Sequence, residues 1–232
     1  MNLQQNKIFI SGGASGIGLE LAKALYALGN QIIINGRNQE KLNNAVALLP
    51  GTVAIAGDMS VYEERLRIAN VIKAEHPTTN WLINNAGVAY AYTLDNSTNS
   101  FERAQEEMNL NYLSIVHFTE LLLPQLLQQQ NSAVVNVTSI AALRGNIHIP
   151  TYAASKAALR NYTTSLRDTL EAYDNIGIFE LLPPLVNTEF SAEIGGAEHG
   201  IPPKEVADEL VAALLNNQYE IPVGMTKKYF GN

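Results

Sequence analysis

The chain has 232 residues, of which 47% are hydrophobic, and carries a formal net charge of −7 at pH 7. A chain of this length can bury one sizeable core, but its acidic balance and lack of a basic cluster are unfavourable for nucleic-acid binding. Because the sequence contains no cysteine, disulfides, thiolate metal sites and cysteine nucleophiles are excluded.

Residues 1–6 are polar and lack the basic and apolar segments of a signal peptide. No apolar run approaches the ~20 residues that a membrane span needs. We therefore expect a cytoplasmic protein without a membrane partner.

The first half of the chain alternates short apolar runs with longer amphipathic ones. The apolar runs predict four buried strands, at residues 7–10, 31–35, 52–56 and 81–83. The amphipathic runs predict helices at residues 17–28, 39–49 and 61–75. Glycine or proline follows each of these helices and ends it.

The second half continues the alternation. A long helical stretch is predicted over residues 98–130, and a helix carrying Tyr152 extends to about residue 173. Strands are predicted at residues 133–137 and 176–181, with a further candidate at 219–223. Pro183 and Pro184 begin a long loop, and a last helix is predicted at residues 203–217.

Strands that are apolar throughout and alternate with helices indicate a parallel sheet covered on both faces. No repeat, low-complexity segment or linker interrupts the chain. The sequence therefore predicts an α/β fold, a doubly wound parallel sheet of Rossmann type with about seven strands. We expect residues 1–232 to form a single domain.

Gly12, Gly16 and Gly18 lie at the turn between the first strand and the first helix. A backbone that turns tightly against a pyrophosphate has no room for side chains, and the helix that follows offers free N–H groups to the phosphates. Glycines also occur in ordinary tight turns, and this GxxxGxG spacing differs from the general GxGxxG fingerprint. The position after the first strand favours a dinucleotide site.

The end of the second strand bears on the choice of cofactor. NAD sites usually place an acidic residue here to bind the ribose 2′-hydroxyl, but residues 31–38 contain none. Arg37 can instead form charge-assisted bonds to a 2′-phosphate, although it can also be a solvated turn residue. The sequence therefore favours NADP(H) over NAD(H).

Tyr152 and Lys156 are four residues apart, which places both side chains on one face of a helix. A phenol has a pKa of about 10, and a nearby ammonium group favours the phenolate. A lowering by roughly three units, which is about 4 kcal/mol, would suit proton transfer near neutral pH. The alternative is an ordinary pair of surface residues. The spacing does not distinguish a catalytic pair from a surface pair, so the choice depends on the other motifs.

Taken together, the motifs resemble the short-chain dehydrogenase/reductase family, in its branch of about 250 residues, over nearly the whole chain and in the family's order. They are SGGASGIG at residues 11–18, Asp58, NNAG at 84–87, Asn111, Ser139, YAASK at 152–156 and PPLVNT at 183–188.

The resemblance implies a catalytic role for four residues. Tyr152 would be the general acid in reduction and the base in oxidation, and Lys156 would lower its pKa and bind the nicotinamide ribose. Ser139 would stabilise charge on the substrate oxygen, and Asn111 would hold a water that relays protons. Asn109 is close enough in sequence to be the alternative to Asn111.

The resemblance also implies the cofactor contacts. Asp58 would bind the adenine amino group, although it can also be a helix N-terminal residue. Val186 and Thr188 would touch the nicotinamide carboxamide. The full implied set, besides Tyr152 and Lys156, is Gly12, Ser15, Gly16, Ile17, Gly18, Arg37, Asp58, Asn85, Ala86, Gly87, Pro183, Val186 and Thr188.

Two positions depart from the commonest family pattern. Ser11 replaces threonine and keeps the hydroxyl. Pro184 replaces glycine, and since proline fixes φ and removes a donor, a stiffer loop is expected near the nicotinamide contacts.

Three stretches should frame the substrate: residues 88–94, 140–149 and 189–201, the last a mobile lid. Arg144 and His148 can bind a polar or anionic group, or can be solvated or structural. The four histidines show no metal spacing, and no GxSxG surrounds Ser139. The sequence does not identify the substrate.

These features predict an NADP(H)-dependent oxidoreductase acting on a small carbonyl or alcohol. One alternative is a regulatory or scaffold protein that binds nucleotide with little turnover, and another is an oxidoreductase for activated double bonds. The resemblance further implies a homodimer or homotetramer, formed through the long fourth helix and the Tyr152 helix.

Overall fold

The computed structural model of the chain describes residues 1–96 and 99–230. Within these ranges its strands are β1 (Lys7–Ser11), β2 (Gln31–Gly36), β3 (Val53–Ala56), β4 (Trp81–Asn84), β5 (Ser132–Val137), β6 (Ile176–Leu182) and β7 (Glu220–Pro222). They form one sheet in the order β3-β2-β1-β4-β5-β6-β7, and every neighbouring pair is parallel.

The α-helices of the described residues are α1 (Gly16–Ala27), α2 (Gln39–Leu48), α3 (Tyr62–Glu75), α4 (Ser100–Met108), α5 (Ser114–Leu126), α6 (Pro150–Thr169), α7 (Gly196–His199) and α8 (Pro203–Leu215). One layer, with α1, α2 and α8, packs on one face of the sheet. The other face is covered by α3, α5 and α6. Among the described residues, no helix combines the length and apolarity that crossing a bilayer requires.

Successive residues of the central strands serve opposite layers. In β1, Ile8 and Ile10 join the core under α1 and α8, whereas Phe9 joins the core under α3 and α5. Trp81 and Leu82 of β4 divide in the same way. This two-residue period with apolar residues on both faces explains why the strands read as continuous hydrophobic runs. It confirms the doubly wound α/β fold.

The strand order reverses between β1 and β4, because β2 lies on one side of β1 and β4 on the other. Loops that leave the carboxyl ends of these two strands diverge and open a crevice at the edge of the sheet. The glycine turn after β1 and the NNAG segment after β4 lie at this crevice.

Three predicted segments differ from the structure. The predicted helix over residues 98–130 ends at Leu126 and is interrupted by a π-helix at Asn109–Leu113; its predicted start at Thr98 lies outside the described residues. The Tyr152 helix ends at Thr169 rather than near residue 173, and the last helix ends at Leu215.

The loop predicted after β6 is partly helical. A 3₁₀-helix spans Glu189–Ile194 and α7 follows it. A capping box between Thr188 and Ser191 begins the 3₁₀-helix, and Gly195, with φ of +80°, ends it. The glycines that predicted a loop therefore separate two short helices.

Candidate active site

A cleft of about 940 Å³ opens at the carboxyl edge of the sheet. The predicted residues that line it are Ser15, Gly12, Gly16, Ile17, Arg37, Asp58, Asn85, Ala86, Gly87, Ser139, Tyr152, Lys156, Pro183, Val186 and Thr188. Gly18 and Asn111 are the predicted site residues that lie behind this lining. The turn, the second strand and the Tyr–Lys pair thus meet in one place.

The glycine turn leaves no room for side chains. Gly12 and Gly16 have φ of +64° and +53°, in the region that favours glycine. A Cβ on Gly18 would lie 2.2 Å from the carbonyl oxygen of Gly12, so Gly18 lets α1 start directly against the turn. The open backbone is suited to close approach by a pyrophosphate at the N-terminus of α1.

The segment after β4 holds this turn in place. The Asn85 side-chain amide donates to the carbonyl oxygens of Ser11 and Gly12, at 3.0 and 3.2 Å. The Ser11 hydroxyl accepts bonds from the backbone amides of Asn85 and Ala86. Threonine carries the same hydroxyl, so serine at this position can accept the same two hydrogen bonds.

Two cations stand where β2 leads into α2. Arg37 is 71% exposed at its side chain and lies 3.5 Å from the Asp58 carboxylate. Lys41, on the first turns of α2, also lines the cleft and forms an ion pair with Glu189 across it. Sequence reasoning missed Lys41, because its distance from the glycine turn in sequence gives no signal of this position.

Asp58 faces the cleft and also supports the turn before α3. Its carboxylate accepts bonds from the Ser60 amide and hydroxyl, at 2.8 and 2.7 Å. Burial raises the pKa of Asp58, but the Ser60 hydrogen bonds and the Arg37 charge outweigh this effect and leave the pKa below its usual value. Both interpretations made from the sequence, an adenine contact and a residue at a helix start, are compatible with this position.

Ser139, Tyr152 and Lys156 form a buried group beneath the cleft, with side chains that are 7%, 8% and 3% exposed. The Ser139 hydroxyl accepts a bond from the Ala141 amide at 3.1 Å and lines the same cleft as the Tyr152 phenol. Lys156 Nζ lies 5.8 Å from the centre of the Tyr152 ring and donates to the Val137 carbonyl at 2.8 Å. All three side chains line the same cleft.

Burial governs the protonation of this group. It raises the pKa of Tyr152 to about 12, with a further increase from Glu107 and an opposing hydrogen bond from Ser139. Burial also lowers the pKa of Lys156 to about 8. The Tyr–Lys spacing predicted a lowering of the phenol pKa, but burial has the larger effect and raises it. Burial therefore favours the protonated form of Tyr152.

Asn111 lies in the π-helix and is fully buried. Its side chain bonds both backbone groups of Val88, at 2.9 and 2.8 Å, and donates to the Ser155 hydroxyl. A Cβ on Gly87 would lie 3.0 Å from Asn111 Oδ1 and 3.7 Å from Lys156 Nζ. Asn111 is thus next to Lys156, whereas Asn109 donates to Ser60 at the start of α3. The relay role of Asn111 stays a prediction.

The segments predicted to frame the substrate converge at the other end of the cleft. The Tyr92 amide donates to the His148 carbonyl at 2.9 Å, and its hydroxyl is bonded to Thr151. His148 lines the cleft. Arg144 does not line it, since it is exposed and lies over the Tyr229 ring, which matches the solvated alternative for that residue.

Two further residues near the phenol were not predicted. Glu107 on α4 is fully buried and accepts a bond from the Tyr90 amide at 2.9 Å; burial raises its pKa. Phe190 of the lid lies with its ring 5.9 Å from the Tyr152 ring. Both contacts join residues far apart in sequence, so no local pattern indicates them. In the part of the chain that the structure describes, no group of three or more acidic or histidine side chains could hold a metal ion.

Comparison with known proteins places this cleft in a broad context. A family model described as short chain dehydrogenase matches residues 6–199. The chain is 32% identical to the uncharacterized oxidoreductase DltE of Bacillus subtilis, covering 95% of this chain and 89% of the relative. It is 29% identical to a fatty acyl-CoA reductase of Acinetobacter baylyi, covering 95% of this chain and 76% of that enzyme.

Two solved structures share the fold. A short-chain dehydrogenase/reductase from Burkholderia phymatum in complex with NAD has a TM-score of 0.88 at 20% identity, over 95% of this chain and 89% of its own. A short-chain dehydrogenase from Burkholderia cenocepacia in complex with NADP has a TM-score of 0.87 at 26% identity, over 99% and 92%.

Proposed function

Because the chain belongs to the short-chain dehydrogenase/reductase family and is therefore an oxidoreductase that acts with a nicotinamide cofactor, we propose that it transfers a hydride between NADP(H) and a small carbonyl or alcohol. The observation that carries the proposal is the meeting of Ser139, Tyr152 and Lys156 in the same cleft as the glycine turn. A protein that only binds nucleotide has no need of this buried acid and its partners.

The cleft fits a nicotinamide dinucleotide. The glycine turn has space that an added Cβ would fill, and the backbone amides at the start of α1 suit a pyrophosphate. When bound, the nicotinamide supplies the hydride for reduction or accepts it in oxidation. Ser15 and Ile17 would contact the phosphates, Asp58 the adenine, and Pro183, Val186 and Thr188 the nicotinamide end.

The chain's own residues would handle the proton. Tyr152, which is protonated at neutral pH as phenols are, would give its proton to the substrate oxygen in reduction. The Ser139 hydroxyl would hold that oxygen as negative charge develops. Lys156, with a pKa lowered to about 8, would return a proton to the phenolate and hold the ribose, and Asn111 would connect Lys156 to water.

The preference for NADP(H) rests on Arg37 and Lys41. Residues 31–38, which form β2 and the turn after it, contain no Asp or Glu to bind a ribose 2′-hydroxyl, and two cations line the cleft there instead. The Asp58 carboxylate lies 3.5 Å from Arg37 but follows β3. Of the two Burkholderia structures, one is in complex with NAD and the other with NADP, so the preference is argued from this chain's own residues. A planar guanidinium and an ammonium together suit a 2′-phosphate.

Calorimetry with NADPH and NADH tests the cofactor assignment. We expect wild type to bind NADPH at least 10-fold more tightly. Arg37→Ala should weaken NADPH by 10- to 100-fold, the loss typical of one charge-assisted contact, while NADH affinity stays within a factor of two. Equal affinities in wild type, or equal losses in the variant, would reject the NADP(H) preference.

A turnover panel separates the competing functions. Carbonyls, alcohols and enones are each offered with the preferred cofactor, and absorbance of the reduced nicotinamide is followed for wild type and Tyr152→Phe. Carbonyl reduction that falls at least 1,000-fold in the variant supports the proposal. Tight cofactor binding without any turnover favours the regulatory or scaffold alternative, and turnover of enones alone favours reduction of an activated double bond.

We also propose a homodimer or homotetramer, since Phe101 of α4 and Leu113 of the π-helix are 69% and 52% exposed on the helical stretch that the family uses for association. The cytoplasmic location stays a prediction.

A further inference from the structure

An apolar cluster surrounds the proposed acid. Tyr152 packs with Ala141, Ile149 and Ala153 in a small core separate from the two layers of the sheet. Ala89 and Ile194 are half-buried and pack against it from the two flanking segments. The reacting phenol therefore faces a wall of hydrocarbon on the substrate side.

The lid adds an aromatic surface that is open to solvent. Phe190 is 47% exposed, lines the cleft and lies 5.9 Å from the Tyr152 ring at an angle of 57°. The capping box of Thr188 and Ser191 fixes the turn that carries it. A half-exposed phenyl ring beside a reacting centre gains most when an apolar ligand covers it.

Two exposed residues beside the cleft lining, which we call its rim, are also apolar. Leu94 and Ile147 are 66% and 74% exposed. Each is next in sequence to residues that line the cleft, Thr93 in one case and Asn146 and His148 in the other. Large exposed aliphatic side chains next to the lining of a pocket favour a ligand with an apolar body.

The charges of the cleft are divided between its ends. The cations Arg37 and Lys41 lie at the end of β2, on the cofactor side. Among the described lining residues of the lid and rim, Glu189 and Glu193 are carboxylates, of which Glu189 is paired with Lys41, and His148 is the one side chain that can become cationic. Glu193 is exposed and has the same sign as the net charge of −7, so this end is less favourable for an anion than the cofactor end.

We infer that the substrate is an uncharged aldehyde or ketone with an apolar body, which lies between Phe190 of the lid and Ile149 of the cluster. This inference rests on the proposed function. In reduction the C=O π bond would break, the carbonyl carbon would gain the hydride that bound NADPH supplies, and the oxygen would gain the Tyr152 proton. The products would be the neutral alcohol and NADP⁺.

The test uses two aldehydes of similar size and a small polar one, each with saturating NADPH. 4-Methylbenzaldehyde and 4-carboxybenzaldehyde differ mainly by one negative charge, and glyceraldehyde lacks the apolar body. We expect kcat/KM for the methyl compound to exceed that for the carboxylate by at least 100-fold. Equal or better use of the carboxylate would overturn the inference.

Two variants test which side chains produce the preference for the methyl compound. Glu193→Gln should raise kcat/KM for 4-carboxybenzaldehyde about 3- to 10-fold and leave the methyl compound unchanged, whereas Glu198→Gln, on the same lid but outside the lining, should change neither. Phe190→Ala should raise KM for the methyl compound about 10-fold and leave glyceraldehyde within a factor of two. Leu48→Ala, at an exposed apolar residue of α2 outside the cleft lining, is the control.

The outcomes distinguish this inference from the proposed function. Reduction of carbonyls with a preference for the anion, or a Phe190→Ala effect that is equal for all three aldehydes, rejects the apolar substrate and leaves the oxidoreductase intact. If NADPH binds and none of the three aldehydes is reduced, the carbonyl function is rejected together with the inference.

Discussion

Lys156 is an ammonium group held in a site that is 3% exposed, with one hydrogen bond to the Val137 carbonyl. Burial lowers its pKa from 10.5 to about 8, which corresponds to a penalty of about 3 kcal/mol for keeping the charge. We expect Lys156→Met to abolish turnover and yet to raise the free energy of unfolding at pH 7. Since the carbonyl loses a partner worth about 1 kcal/mol, the net gain should be about 1–2 kcal/mol.

The pH dependence gives a second test of the same residue. The folded pKa lies below the unfolded one, so the penalty is fully present below pH 8 and disappears as pH rises toward 10.5. The advantage of Lys156→Met in urea unfolding should therefore shrink between pH 7 and pH 9.5. Lys73→Met on the exposed face of α3 is the control and should change stability by less than about 0.5 kcal/mol. If Lys156→Met is less stable than wild type at pH 7, burial of the charged lysine does not lower the stability of the protein.

At the scale of elements, one arginine joins α6 to the last two strands. Arg160 lies one turn beyond Lys156 and binds Glu180 of β6 at 2.7 Å and Glu220 of β7 at 3.0 Å. Glu180 is fully buried and also accepts a bond from Thr138 at 2.8 Å. Burial raises the pKa of Glu180, against the Thr138 hydrogen bond and the Arg160 charge. The pair therefore fixes the helix that carries the proposed acid.

Removing Arg160 should be costly because a buried carboxylate loses its partner. We expect Arg160→Met to lower the free energy of unfolding by about 3–5 kcal/mol at pH 7.5. Since protonation neutralises Glu180, this loss should become smaller as pH falls through its raised pKa. The double variant with Glu180→Gln should recover most of the loss.

Urea unfolding measures the Arg160 effect, and Lys204→Met is its control. Lys204 pairs with Asp208 on the surface of α8, with side chains 71% and 57% exposed, and should cost less than about 1 kcal/mol. Comparable losses in the two single variants would contradict the assigned role of burial.

For the molecule as a whole, the features that could be predicted from the sequence are those that a local sequence pattern determines. Continuous apolar runs predicted the parallel sheet, and the resemblance indicated Tyr152, Lys156 and Ser139 from their motifs. The positions of Lys41, Glu107 and Phe190 depend on contacts across the fold, so no spacing shows them. The pKa of Tyr152 moved in the opposite direction to the prediction, because the Tyr–Lys spacing does not reveal the depth of burial or the carbonyl that Lys156 binds.

The proposed association of whole molecules can be tested through charge and apolar surface together. Each copy carries −7, so copies repel, and added salt should strengthen association by screening this repulsion. In sedimentation we expect the mass of wild type to exceed the 25.3 kDa of one chain, with a larger associated fraction at 0.5 M than at 0.05 M salt.

Phe101→Ser with Leu113→Ser should shift the mass toward one chain, because a stable interface needs its apolar centre. Leu48→Ser, at a site on α2 that is 60% exposed, should not. A wild type that stays at the mass of one chain at every salt concentration would reject the oligomer.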